Sequence, residues 1–259
     1  MRRLYRISLL IILTLCNTSV FAVDYDLSVS PFSLPVSVIA LDAGHGGHDP
    51  GAVASYYWDD PIEIQEKEIV LDITLRIADI LQENHPDIGI VTTRSTDEFV
   101  SLERRSEIVS TIDPSRGRSA IFVSIHANSA TDNGASGLEF LIKRTDRWVR
   151  FLANDSPDWA LARYANHTMG ELNKLLNREN LYIASMIQHQ LVNQFGDMRN
   201  RGIKEQDIWV LNASKVPSVL IEIGFISNED EARKMMQDSW RQEIASAIAQ
   251  ALTHYINRD

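Results

Sequence analysis

The chain has 259 residues, 44% hydrophobic and 23% charged, enough to bury a sizeable core without metal or disulfide staples in one large or two small domains. Its 25 basic residues against 35 acidic ones, a formal charge of -10, exclude a protein whose main task is coating nucleic acid, because no basic surplus exists to neutralise phosphates. A single cysteine, Cys16, excludes an internal disulfide framework and any cysteine-rich metal site, so metal ligands must be His, Asp or Glu.

In chain order, Arg2, Arg3 and Arg6 precede an apolar run, Ile7 to Leu15, and Val20-Phe21-Ala22 places a small residue before a cut. This is the layout of a secretory signal peptide cleaved after Ala22, and the run is too short to span a bilayer comfortably. The rivals are an uncleaved anchor and lipidation of Cys16, the latter disfavoured because Leu15 is bulky where a small residue is wanted. Cleavage removes three arginines and no acid, leaving 22 basic residues against 35 and a charge of -13. The mature chain then has no cysteine, which suits an oxidising compartment such as the periplasm. It also has no stable membrane span.

Residues 23–35, polar and punctuated by Ser and Pro, read as a linker. Apolar runs then alternate with helical patterns over 36–257, which predicts an α/β domain around a largely parallel sheet. The strands expected are Val36–Leu41, Ile88–Thr92, Ala120–Ile125, Gly137–Ile142, Ile208–Leu211 and Ser218–Ile223. The helices expected are Ile62–Asn84, Ser101–Ile112, Pro157–Asn177, Leu181–Phe195 and Glu229 to about Ile256. From 143 to about 180 the rhythm breaks, and this stretch reads as a helical insertion.

Three expected strands run into polar residues: Leu41 into Asp42-Ala43-Gly44-His45, Ile125 into His126, and Ile221 into Glu222. In open α/β sheets ligands bind beyond the carboxyl ends of the strands, so parallel strands would bring His45, His126 and Glu222 to one edge. Glu66 joins them by helical arithmetic. Ile69, Val70, Ile73, Ile77 and Leu81 form an inward stripe, and four residues before Val70 lies Glu66 on the same face. An inward carboxylate needs a partner, and a divalent cation is a natural one. Two imidazoles and one carboxylate with a fourth position open to water form a catalytic zinc set. Glu222, nearby and unligated, would carry the water's proton to the leaving nitrogen. The reaction class is metal-assisted amide hydrolysis.

Each residue also has a plainer reading. His45 would be a turn histidine, His126 a hydrogen-bonded core histidine, and Glu66 a carboxylate favoured by the helix dipole. Glu222 would pair with a buried arginine such as Arg94 or Arg201. Glu139, on a strand, is the rival carboxylate. The remaining histidines, His48, His85, His167, His189 and His254, read as surface or cap residues.

The segments carrying this chemistry resemble a known family, the zinc-dependent N-acetylmuramoyl-L-alanine amidases of the type-3 catalytic domain. The matching stretches are 39–47 with Asp49-Pro50-Gly51-Ala52, Glu66-Lys67, Thr93 to Asp97 with Ser101, Leu102 and Arg105, Ser124 to Asn128, Arg201 to Lys204, and Ile221 to Asn228. They run in order through nearly all of 36–257.

The resemblance implies a phosphorylase/hydrolase-like fold with helices on both faces of a twisted sheet. It implies Zn2+ held by His45, Glu66 and His126, and Glu222 as the catalytic residue. It also implies the substrate, the amide joining the lactyl group of N-acetylmuramic acid to L-alanine in peptidoglycan. A wall peptidase, a sugar deacetylase or a non-catalytic wall-binding regulator are the alternatives.

Two departures stand out. The loop Tyr56–Pro61 looks elongated and acidic. In cell-division members of the family a helix inserted near 143–180 covers the zinc until an activator, often a LytM-domain protein, displaces it. Leu161, Ala165, Thr168, Leu172 and Leu175 form one stripe here, with His167 and Glu171 four apart on another face. This predicts a lid whose His167 and Glu171 reach the metal from above.

Overall fold

The computed structural model describes residues 30–114 and 117–258. The expected signal peptide, Cys16 and most of the expected linker lie outside the described residues. Strand β1 (Val36–Ala43) leads into a hairpin of β2 (Val53–Tyr57) and β3 (Pro61–Gln65), followed by helix α1 (Glu66–Asn84). Then come β4 (Gly89–Thr92), α2 (Leu102–Ser110), β5 (Ser119–Asn128) and β6 (Leu138–Lys143). Helices α3 (Asp158–Tyr164) and α4 (Met169–Gln194) precede β7 (Asn200–Gln206) and α5 (Trp209–Ala213). Strand β8 (Ser218–Phe225) and helices α6 (Glu229–Met235) and α7 (Asp238–Ile256) complete the chain.

The main sheet has the order β4-β1-β5-β8-β6-β7. Strands β4, β1, β5 and β8 are mutually parallel, and β6 runs antiparallel to β8. The carboxyl ends of β1, β5 and β8 therefore share one edge with the amino end of β6. Lys143, at the end of β6, lies at the opposite edge.

Alternation along the strands divides the core into two layers. Ile39, Leu41, Ile121, Val123, Val219 and Ile221 pack with α1, α4 and α7 on one face. Ala40, Phe122, Leu220 and Leu141 pack with Val109 of α2 and Val210 and Leu211 of α5 on the other. Helices thus cover both faces, as expected for a sheet whose strands are apolar on both sides.

Several elements differ from their sequence reading. The stretch from Ile62 is strand, and α1 begins only at Glu66. Its first N–H groups find backbone carbonyls instead of a side-chain cap: Glu66 N donates to Ala52 O at 2.9 Å and Lys67 N to Pro50 O at 3.1 Å. The segment read as strand Ile208–Leu211 belongs to the approach and first turns of α5, while the polar run Asn200–Gln206 is the edge strand β7. Residues 178–180, read as a break, lie inside one continuous helix, α4. Asn180 and Glu179 have low helix propensity or charge but are fixed by tertiary bonds, from Ser218 N to Asn180 Oδ1 at 2.8 Å and from Arg258 Nη1 to Glu179 Oε2 at 2.7 Å. The actual break falls before Thr168, which forms a capping box with Glu171. A second break separates α6 from α7 at Met236-Gln237, where the sequence read one helix.

The expected linker ends in the core: Phe32 is fully buried with Phe151, Tyr164, Leu172 and Leu176 in a satellite cluster. That cluster contains much of the insertion and lies at the amino ends of β1, β5 and β8. Arg163 donates to the carbonyls of Arg118 and Pro31, and Tyr164 Oη to Lys215 O. The insertion therefore packs at the edge opposite the expected site. Glu171 caps its own helix through Thr168. The lid reading of 143–180, with His167 and Glu171 above a metal, is corrected by this placement.

Candidate active site

At the carboxyl edge of the sheet, one ligand atom each from His45, Glu66 and His126 lies within 4.8 Å of the others. His45 Nε2 approaches Glu66 Oε2 at 3.1 Å, and His126 Nδ1 approaches Glu66 Oε1 at 2.8 Å. Among the described residues this is the one group of three such side chains placed to hold a metal ion. Each arrives from a different element: His45 from the turn after β1, Glu66 from the first position of α1, and His126 from β5.

Two glycines make room for this convergence. A Cβ on Gly44 would stand 2.3 Å from His126 Cε1, and one on Gly51 would stand 2.5 Å from Glu66 Oε2. Neither gap admits a side chain, so both glycines are required by close approach. His45 itself adopts a φ of 58°, a left-handed conformation that a non-glycine residue holds only when its surroundings enforce it.

Buried arginines supply that enforcement. Arg94 donates from Nε to Ala43 O at 3.0 Å and from Nη2 to Gly44 O at 2.7 Å. Arg105 donates to the carbonyls of Ala43 and His45 and pairs with buried Asp42. Asp42 also accepts from Thr93 Oγ1 and Ser124 Oγ, each at 2.6 Å. Burial opposes ionisation of Asp42, but Arg105 and the Ser124 and Thr93 hydroxyls hold its carboxyl below the usual range. The far nitrogen of His45, Nδ1, meets Asp49 Oδ2 at 2.9 Å, the carboxylate–histidine contact that fixes the tautomer and orientation of a metal-binding imidazole.

Glu66 is equally constrained. Ala52 N donates to its Oε2 at 2.8 Å and Ala127 N to its Oε1 at 3.0 Å. Burial works against its charge, yet the contacts with His126 and His45 hold the carboxyl far below its ordinary value. Burial likewise pushes the His126 imidazole down, but Glu66 reverses the shift and raises it to about 9. Two imidazoles and a carboxylate gathered this closely could hold a metal ion.

Glu222 stands beside them as the cross-strand neighbour of His126 on β5 and of Glu139 on β6. Its Oε2 is buried with no hydrogen-bond partner among the described residues. Burial, reinforced by the charges of Glu66 and Glu139, raises its carboxyl to about 7. The arginines considered as its partners are engaged elsewhere: Arg94 with backbone carbonyls, Arg201 with Glu139 at 3.7 Å and the face of Phe225. Glu139 is paired with Lys204 and is not part of the triad.

The other histidines sit apart: His85 closes α1 and meets Thr253, and His48 stacks on Phe99. A cavity of about 170 Å³ reaches His45 and His126 beneath α2 and α5, with Phe99, Leu102, Ile208 and Val210 among its walls.

Comparison with known proteins shows the family to which the chain belongs. A family model described as N-acetylmuramoyl-L-alanine amidase (Amidase_3) matches residues 39–254. The chain belongs to that amidase family. It is 32% identical over 220 residues to the uncharacterised protein YqiI of Bacillus subtilis, covering 85% of each chain. It is 29% identical to the amidase AmiC of Escherichia coli, covering 84% of this chain and 52% of that one, so it spans about half of AmiC. Among solved structures, the amidase AmiC2 of Nostoc punctiforme superposes with a TM-score of 0.64 at 25% identity, covering 85% of this chain and 97% of that one. The amidase CwlD of Clostridioides difficile, solved in complex with the GerS lipoprotein, gives 0.64 at 26% identity over 86% of this chain and all of that one. The α/β fold is common to this chain and both solved structures.

The structure brings together the four residues singled out from the sequence, His45, Glu66 and His126 with Glu222 beside them. The sequence reading gave no role to Asp42, Asp49 and Arg105 and considered Arg94 only as a partner for Glu222, whereas all four hold the His45 turn in place. One signal was available: Arg105 lies four residues before Val109 on the buried face of α2, where a charge requires a structural reason.

Proposed function

We propose that the chain is an exported zinc amidase that cleaves the bond between the lactyl group of N-acetylmuramic acid and L-alanine in peptidoglycan. The convergence of His45, Glu66 and His126 beside unpartnered Glu222 carries this reading. His45 through Nε2, His126 through Nδ1 and one oxygen of Glu66 would hold the zinc. Bound there, zinc supplies Lewis acidity to polarise the scissile carbonyl and activate water.

The chain's own residues do the rest. Asp49 orients His45, and the Ala52 and Ala127 amides orient Glu66. Glu222 Oε2 takes the proton of the attacking water and returns it to the departing alanine nitrogen. A carboxyl poised near neutrality is suited to both transfers. Phe99, Leu102 and Ile208 give the adjoining cavity an apolar wall that limits water around the reacting bond. Export to the periplasm is supported by the basic, apolar and small-residue pattern of residues 1–22, and removal of Cys16 with that segment suits an oxidising compartment. Among the described residues no helix is long and apolar enough to cross a membrane. Since the insertion packs at the other edge, displacement of a lid by a LytM-type activator has no support from its position.

Mass spectrometry of digested wall tests the reaction. Stem peptides beginning with L-alanine should appear, and a chelator should abolish them until zinc is restored. Products cut within the peptide, or sugars lacking acetyl groups, would identify a different hydrolase.

A further inference from the structure

A second concavity lies at the end of the sheet away from the histidines. An open groove of about 700 Å³ is lined by Asp146, Arg147, Trp148, Asp207, Trp209 and Asn212, a volume within the roughly 300–1,000 Å³ of small-molecule sites. Its two indoles are the unusual feature: Trp148 is 65% exposed and Trp209 58%. Large aromatic faces left in water at one concavity mark a binding surface, because covering them is favourable and each ring keeps an N–H for a polar ligand. The outer edge of Trp148 lies at the first turn of α4, 3.7 Å from where a Cβ on Gly170 would stand.

The polar groups between the indoles are held in place. Arg147 pairs with Asp207, Asn212 Nδ2 donates to Asp207 Oδ1 at 2.6 Å, and Arg144 Nε donates to Asp146 Oδ1 at 2.9 Å. This leaves Asn212 Oδ1 buried and without a hydrogen-bond partner among the described residues. Such an acceptor calls for a donor from outside.

Flat apolar faces edged by oriented carboxylates, an amide and a guanidinium match a pyranose. Its C–H face is apolar, and its rim carries hydroxyl and acetamido groups that donate and accept. Two carboxylates disfavour nucleic acid. An apolar peptide would leave the already buried Asn212 Oδ1 without a partner, whereas a sugar hydroxyl or acetamido N–H can donate to it.

The short segment 207–213 adjoins both concavities. Ile208 and Val210 wall the cavity at His45 and His126, whereas Asp207, Trp209 and Asn212 face the groove. We propose that the groove is a second glycan-binding site that grips N-acetylated hexosamine rings away from the scissile bond. The identity of the polymer rests on the amidase reading. The chemistry of the groove does not.

The test uses the full mature chain carrying Glu222→Gln, titrated with the β-1,4-linked tetramer of N-acetylglucosamine and followed by tryptophan fluorescence. Saturable binding is expected. Affinity should fall about tenfold or more in Trp148→Ala and Trp209→Ala, fall severalfold in Asn212→Ala, and recover substantially in Trp209→Phe, which keeps a stacking face. With Glu222 intact, both alanine variants should lower the ratio of activity on intact wall to activity on a short soluble muramoyl peptide by fivefold or more.

Absence of tetramer binding, or binding that ignores all three alanine substitutions in folded protein, overturns the proposal. Preference for a stem peptide over the tetramer at the groove also overturns it. Tetramer binding without any amidase activity would refute the catalytic reading and leave the groove standing; activity without tetramer binding would do the reverse.

Discussion

The two ends of the sheet solve opposite problems. At the carboxyl edge, charged and polar side chains are buried together: Asp42, Arg94, Arg105, Glu66 and Glu222 are all largely removed from water, and nearly every polar atom has a fixed partner. At the amino edge, the insertion builds a small aromatic core from Phe32, Phe151 and Tyr164 and leaves tryptophans in solvent. The first end is preorganised for chemistry, where misplacement is costly. The second is a structural buttress with an open face. Damage at the first should therefore destroy activity with modest effects on folding, and damage to the buried aromatic cluster of the second should do the converse.

The sharpest way to break this contrast is Glu222→Gln. It should retain metal while lowering kcat by about 10²–10⁴, the usual contribution of a general acid–base; His45→Ala should lose metal and activity together. Elemental analysis alongside wall digestion separates the two, and near-normal turnover in Glu222→Gln would remove Glu222 from its role.

Next in size is Gly51→Ala. The added methyl would collide with Glu66 and His45, so zinc affinity should drop by at least tenfold in a titration against a competing chelator, while the fold survives. Phe32→Ala, at the other end, should cost about 3–5 kcal/mol in denaturant unfolding. Activity per folded molecule should stay within about twofold.

Smaller effects concern pH. Asp42 has a folded-state pKa below its unfolded value of 3.8, so its pair with Arg105 contributes stability that is present above that value and lost as pH falls through the lower one. Asp42→Asn should flatten the acid limb of the stability curve below about pH 4. For catalysis, burial holds Glu222 at about 7 without metal, and a nearby cation would favour its charged form. The acid limb of kcat/KM should thus fall between the ordinary carboxylate range and pH 7, and disappear from the profile of Glu222→Gln.

What was legible in the sequence follows the same division. Glu66 was found because the stripe Val70, Ile73 and Ile77 fixes the inward face of α1, and His126 because β5 is apolar up to it. Local pattern determines both. The insertion misled because its stripe was real while its docking edge was not encoded locally: β6 reverses direction against β8, which delivers the segment that follows Lys143 to the far edge. Likewise, α4 runs unbroken through Asn177–Asn180 because Ser218 and Arg258, distant in sequence, fix Asn180 and Glu179. Strand β7 was missed because it is a polar edge strand, paired only to β6, where no alternation is required.

The most direct test is X-ray absorption at the zinc edge of the metal-loaded mature protein, compared with the His45→Ala, Glu66→Gln and His126→Ala variants. Two imidazole nitrogens at about 2.0–2.1 Å and one carboxylate oxygen at about 2.0–2.2 Å are expected, with the zinc itself lost in His45→Ala and either the zinc or one of these scatterers lost in the other two variants. An unchanged first shell in any of the three, or zinc bound as tightly without them, would contradict the site.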